Sequence, residues 1–141
     1  MARRTVTQTV TQTEHSEQVA IMKWWALAHR GLGVPERLLF AIPNGGERNI
    51  IVAARMKAEG VRAGVPDMFL AYPTPFAHGL FIELKKTKGG RVSDAQKSFI
   101  SELTEQGYRA TVCKGAEEAI NEIKRYLAMA NITNADALRT S

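Results

Sequence analysis

The sequence predicts an α/β fold, a central mixed β-sheet flanked by helices in the order αβαββαβα. Three observations carry this prediction. Four segments place apolar residues at helical spacing, and three of them stop at a glycine, Gly31, Gly60 or Gly107. Four short apolar runs of strand length lie between those segments. Two of these runs follow one another with no helix between, joined by the proline-containing loop YPTPFAHG.

The elements follow in order. The opening TVTQTVTQT is a short Thr/Gln repeat with little to bury, so residues 1–13 are expected to form a flexible arm before one domain spanning 14–130. From Glu14 to His29 the residues Val19, Ile21, Met22, Trp25, Leu27 and Ala28 recur at roughly helical spacing, which predicts the first helix. Leu38 to Ile42 is an apolar run bounded by PNGG, a strand entering a turn. Arg48 to Glu59 is the second predicted helix, closed by Gly60. Met68 to Tyr72 and Leu80 to Leu84 are the two neighbouring strands, and Pro73 and Pro75 disfavour ladder pairing in the loop between them. Ser93 to Gln106 is the third helix, opened by the capping-box pattern Ser93 and Gln96, with Phe99, Ile100 and Leu103 on its apolar face. Tyr108 to Cys113 is the last strand, and Ala116 to Ala130 the last amphipathic helix, carrying Ile120, Ile123 and Leu127. The polar tail 131–141 is expected to fray.

With 141 residues, 45% hydrophobic and 23% charged, the chain has the size and composition of one soluble globular domain. No apolar run approaches the roughly 20 residues of a membrane span, and the N-terminus lacks the apolar centre of a secretory signal. A cytoplasmic location is the default expectation, and a single cysteine, Cys113, agrees with it. The net charge of +5 leans towards a polyanionic partner.

The chemistry concentrates in GVPDMFLAYPTPFAHGLFIELKK, residues 64 to 86. Side chains alternate faces along a strand, so Glu83 and Lys85 share one face while Ile82 and Leu84 share the other. If the two strands pair as a hairpin, Asp67 at the start of one lies beside the end of the other and approaches Glu83. Two bare carboxylates ~4 Å apart repel by about 4 kcal/mol at an effective dielectric near 20. Lys85 supplies one positive charge, and an oxygen-rich pair of acids suits a hard divalent cation, Mg²⁺ or Mn²⁺. Such a set can polarise a phosphoryl oxygen and activate water for phosphodiester hydrolysis. The competing reading is a surface salt bridge from Lys85 to Glu83 or Asp67 on a solvated sheet face.

The pattern VPD, a spacer, then IELK resembles the PD-(D/E)xK nuclease motif, with Pro66, Asp67, Glu83, Leu84 and Lys85 each falling on it. More narrowly, IPNGGER at 42–48, GVRAGVPD at 60–67, FIELKK at 81–86, RVSDAQKSF at 91–99 and a closing QGYRATV make the chain similar to the VRR-NUC family, from about Glu14 to Tyr126. The resemblance implies a restriction-endonuclease-like αβββαβ core and a metal-dependent deoxyribonuclease. It implies Asp67, Glu83 and the backbone carbonyl of Leu84 on the metal, Lys85 near the attacking water, Gln96 in the site, and Glu17 (or else Glu14) as the acid of the first helix. Stand-alone members of the family are small, typically viral or phage-borne, similar to Holliday-junction resolvases and homodimeric, and the chain matches that type. A homodimer cutting branched DNA is therefore expected. A monomeric flap or nicking nuclease and a catalytically idle DNA-binding module are the alternatives.

Other residues carry a plainer and a sharper reading. Glu17 is also a first-turn acid favoured by the helix dipole, and Gln96 completes a capping box whatever else it does. Asn44, Gly45 and Gly46 form a tight turn that also lets a nucleic-acid backbone approach, with Arg48 available to meet a phosphate. KKTKGGR holds Lys86, Lys88 and Arg91 beside the acids, a natural clamp for phosphates if it is more than a solvated loop. Trp24 and Trp25 cannot both face the core of one helix, and the one left outside is expected at a dimer contact or stacked on a base, the contact being favoured. His15, His29 and His78 lack metal-ligand spacing, which speaks against zinc. Cys113 reads as a small buried strand residue. No P-loop or dinucleotide fingerprint is present, so no nucleotide cofactor is expected.

Overall fold

A computed structural model describes residues 13–43 and 49–132 of the chain. Within them the order αβαββαβα holds: α1 Glu14–Ala28, β1 Leu39–Ala41, α2 Ile50–Ala58, β2 Met68–Leu70, β3 Leu80–Lys85, α3 Asp94–Glu105, β4 Arg109–Lys114 and α4 Gly115–Ala130. The arm at 1–12, the turn at 44–48 and the tail at 133–141 lie outside the described residues, while Thr13 belongs to α1 as its cap.

Local chemistry sets the helix starts. The Thr13 hydroxyl accepts from the Ser16 N–H at 3.0 Å, and the Asn49 side chain accepts from Val52 N–H at 2.8 Å. The second cap moves the start of α2 from the expected Arg48 to Ile50. Ser93 and Gln96 form the anticipated capping box at the head of α3. A 3-10 turn at Glu36–Leu38, absent from the sequence-based expectation, follows Pro35. It is tied to α1 by the Trp25 indole, which donates to the Glu36 carbonyl at 2.7 Å.

The four strands lie in the order β1-β2-β3-β4, antiparallel for the first two pairs and parallel between β3 and β4. Alternation gives the sheet two different faces. One is aliphatic: Leu39, Met68, Leu70, Leu80, Ile82 and Leu84 pack with Ile21 and Trp25 of α1 and Ala119, Ile123 and Leu127 of α4. Burying each large side chain there contributes roughly 1.5–3 kcal/mol. The opposite face carries an aromatic row across the strands. Phe40 meets Phe69 edge-on at 5.8 Å, Phe69 stacks on Phe81 at 4.1 Å, and Tyr108 lies 5.5 Å from Phe81. Glu83 and Lys85 share this face, where Gln96 of α3 meets Glu83.

One expectation about helix faces needs correction. Val19 and Leu27 were counted with the apolar face of α1, yet they are 39% and 88% exposed. The stripe that packs inward is Glu17, Ile21 and Trp25, at i, i+4 spacing. Trp25 is the buried tryptophan, and Trp24 lies at the edge of the core with the Lys124 ammonium 5.8 Å over its ring. The α2 helix buries none of its side chains, and Ile50 and Ile51 are 87% and 79% exposed. Among the described residues no helix is long and apolar enough to cross a membrane.

Candidate active site

Asp67 reaches its place because the chain before it turns sharply at Gly64. That residue has φ +85°, and a Cβ there would lie 2.4 Å from the Ala95 carbonyl oxygen. Only glycine lets this loop rest directly on the first turn of α3. The Asp67 carbonyl then accepts from Ile42 N–H at 2.8 Å. Because Met68 pairs with Ile82, Asp67 falls opposite Glu83, where the ladder between β2 and β3 ends. The freed Leu84 N–H donates to Asp67 Oδ2 at 2.7 Å. Leu84 thus enters the site through its main chain.

Glu83 is 2% exposed, and Lys85 8%. Glu83 Oε1 accepts from Gln96 Nε2 at 2.8 Å and faces Lys85 Nζ at 3.5 Å. A solvated surface salt bridge is therefore the wrong description, since both partners are buried. Gln96 does two things at once: its Oε1 accepts from Ser93 N–H at 2.9 Å while its Nε2 holds Glu83. Cap and site contact are one arrangement, not alternatives.

Glu83 Oε2 is buried and has no hydrogen-bond partner. Burial, then the charge of Asp67 alongside, push the Glu83 carboxyl up to about 8, against the lowering effect of Lys85. Two ionised carboxylates offer each other acceptors and no donor. Such a pair needs either a proton or a cation, and an orphaned buried oxygen facing a second acid is a donor set that suits a hard divalent ion. Among the described residues no three His, Cys, Asp or Glu side chains converge, so the acidic donors number two.

Glu17 lies elsewhere. It is 7% exposed, and its carboxylate accepts from the Ala116 N–H at the head of α4. Gly115, at φ +87°, leaves room for this contact, because a Cβ there would sit 3.2 Å from Glu17 Oε2 and 2.9 Å from Thr87 Oγ1. The acid is thus anchored just past the ends of β3 and β4, where Lys85 pairs with Lys114. Glu14 opens α1 and is only partly buried, so Glu17 is the acid that α1 turns inward. Lys86, Lys88 and Arg91 are all exposed in the loop after β3. That loop folds back at Gly90, where a Cβ would lie 2.8 Å from Lys85 Cβ. Asn44 and Arg48 lie outside the described residues. Cys113 is buried and its thiol is pushed up to about 12, first by burial, so it is no nucleophile.

Sequence reasoning passed over Gly64 and Gly115. Their signal was present, a glycine just before VPD and another opening the last helix, but close backbone approach is a long-range fact.

The VRR-NUC domain family matches residues 11–117, from just before α1 into the first turn of α4. A solved structure described as a "VRR_NUC domain protein" superposes with a TM-score of 0.72 at 30% identity, covering 84% of this chain and 90% of that one. No curated protein matches the chain. With the two acids and the lysine gathered at the end of the β2–β3 hairpin and the family pattern running through most of its length, the chain belongs to the VRR-NUC family of nucleases.

Proposed function

We propose that this chain is a divalent-metal-dependent deoxyribonuclease whose site is built from Asp67, Glu83, Lys85 and Gln96. The observation that carries the proposal is the buried, unpartnered Glu83 Oε2 beside Asp67. A structural ion pair has no use for that orphan, whereas a cation does. Asp67, Glu83 and the Leu84 carbonyl would hold Mg²⁺ or Mn²⁺, which supplies Lewis-acid polarisation of a phosphoryl oxygen and a bound water of lowered pKa. The protein's own groups do the rest. Gln96 fixes Glu83 through Oε1 and leaves Oε2 turned to the site. Lys85, 3.5 Å from Glu83, orients the attacking water and stabilises the charge that develops on the phosphate. Water adds to phosphorus, the P–O bond to the departing strand breaks, one water proton passes to solvent, and the leaving oxygen takes one up. Lys86, Lys88 and Arg91, exposed beside the acids, hold neighbouring phosphates, as Asn44 and Arg48 would. Glu17, anchored on α4, steadies the strand ends that carry Lys85.

The unit 14–130 acts as a single catalytic domain on branched DNA, as a homodimer. The exposed Ile50 and Ile51 of α2, on a helix none of whose side chains is fully buried, favour a partner copy. Two sites related by a two-fold axis suit paired cuts across a four-way junction. The test is cleavage of a synthetic four-way junction, a flap and a plain duplex with Mg²⁺, Mn²⁺ or chelator. Cutting that disappears with chelator and with Asp67→Ala supports the enzyme. Symmetric paired nicks support the dimer on junctions, cutting of the flap alone supports a monomeric flap nuclease, and binding without cutting under every metal refutes the catalytic proposal.

A further inference from the structure

At the far end of β3 and β4 from the acids, a cavity of 510 Å³ opens between the β2–β3 loop, the start of β4 and the last turns of α4. Arg109 there pairs with Leu80, while Lys85 pairs with Lys114, so about 16 Å of strand separates the two ends. At the cavity Glu122, with a side chain 7% exposed, accepts from Arg109 Nε at 2.9 Å and from Arg125 Nη2 at 2.8 Å. Burial opposes its charge, but the hydrogen bonds of both arginines and their charges win and hold its carboxyl below the usual range.

One carboxylate needs one cation. Here it holds two, which leaves a net positive charge at the mouth of the cavity. Each guanidinium uses one side on Glu122, and the side chains of Arg109 and Arg125 stay 57% and 70% exposed. Their remaining N–H donors form forks fixed in direction before any ligand arrives.

The other wall is aromatic. Phe76 is 52% exposed, yet its main chain is held tightly. The Thr74 hydroxyl accepts from the N–H groups of Phe76 and Ala77 at 3.1 and 3.0 Å, and Thr74 N–H donates to the Ala77 carbonyl at 2.9 Å. The Tyr126 hydroxyl donates to the Tyr72 carbonyl at 2.7 Å, tying that turn to α4. An open aromatic ring on a rigid turn, lining the same cavity as pinned guanidiniums, is a surface for something flat and anionic. The volume lies within the range of small-molecule sites.

We propose that this cavity binds a nucleotide, with its phosphate on Arg109 and Arg125 and its base against Phe76. The nucleotide can belong to an unpaired DNA strand or be free in solution, since phosphate and base are common to both. The proposal does not rest on the catalytic reading, because neither arginine is near Asp67 or Glu83.

The test uses the full chain in chelator, where no cutting occurs. Thymidine monophosphate, thymidine, inorganic phosphate and a short single-stranded oligonucleotide are titrated separately, and binding is read from the Arg109 Nε–H and Phe76 amide resonances. The expected result is saturable shifts of both signals, with the nucleotide binding at least about tenfold more tightly than thymidine or phosphate alone. Arg125→Gln leaves the Arg109–Glu122 pair in place and should weaken binding about tenfold. Phe76→Ala, at an exposed position, should weaken it about fivefold or more. Glu83→Gln should leave it unchanged. Binding of the mononucleotide assigns the site to free nucleotides as well as strands, and binding of the oligonucleotide alone assigns it to the strand. No shift at these resonances with either, or equal affinity in wild type and both variants, overturns the proposal and leaves Arg109–Glu122–Arg125 as a brace between β4 and α4.

Discussion

Glu83→Gln should abolish cleavage while making the metal-free protein more stable, and the size of the gain can be worked out. The folded Glu83 carboxyl is raised from an ordinary 4.5 to about 8. A raised carboxyl favours the protonated form in the folded state, so it costs nothing below pH 4.5, and the cost grows as pH climbs to about 8. At about 1.4 kcal/mol per pH unit, that cost is roughly 3 kcal/mol at pH 7 and roughly 5 kcal/mol above pH 9. Glutamine carries no charge. It keeps an oxygen to accept from Gln96, and it offers Asp67 the donor that an ionised Glu83 lacks. The assay is urea unfolding of both proteins in chelator at pH 5, 7 and 9. The variant should exceed wild type by under about 1 kcal/mol at pH 5 and by roughly 3 kcal/mol at pH 7, with the gap widening at pH 9. Adding Mg²⁺ or Mn²⁺ should close the gap by stabilising wild type alone. Parallel stabilities across this pH range, or a variant weaker than wild type at pH 9, would refute the account of Glu83 as a strained buried carboxylate.

Gly64→Ala puts a methyl group 2.4 Å from the Ala95 carbonyl oxygen at a positive φ, so it should cost roughly 1–3 kcal/mol by denaturant unfolding. It should also lower kcat, because the loop carrying Asp67 is pushed off α3. Gln96→Ala removes both the amide on Glu83 and the acceptor for Ser93 N–H, so a loss of roughly 1–2 kcal/mol is expected. The same change should weaken the metal dependence curve measured by cleavage, with Gln96→Glu worse than Gln96→Ala because it adds a third carboxylate to the pair. Ile51→Lys on the exposed face of α2 should halve the mass measured by sedimentation and remove any dependence of the unfolding midpoint on protein concentration. A wild-type protein that is already monomeric would remove the homodimer from the proposal.

The order of elements was legible because its signals are local. Glycine stops, the Ser93–Gln96 cap and the alternation through FIELK are properties of neighbouring residues, and the strands and helices stand within a few residues of where those signals put them. The acids and the lysine were legible for the same reason. Period two sets Glu83 and Lys85 against Ile82 and Leu84, and the hairpin register brings Asp67 alongside. Facing was harder. Leu27 looks like a core residue in sequence and is 88% exposed, since the inward side of a helix is chosen by what packs on it.

Sequence alone determined the succession of helices and strands, the family pattern and the identity of the paired acids, because these depend on spacing along one chain. Tertiary structure decided that Glu17 docks on the amide of Ala116, 99 residues away, that Leu84 lends its N–H to Asp67, and that Arg109 and Arg125 meet on Glu122. Each of those contacts joins groups whose separation in sequence carries no period or motif. Their closeness follows from how whole elements pack.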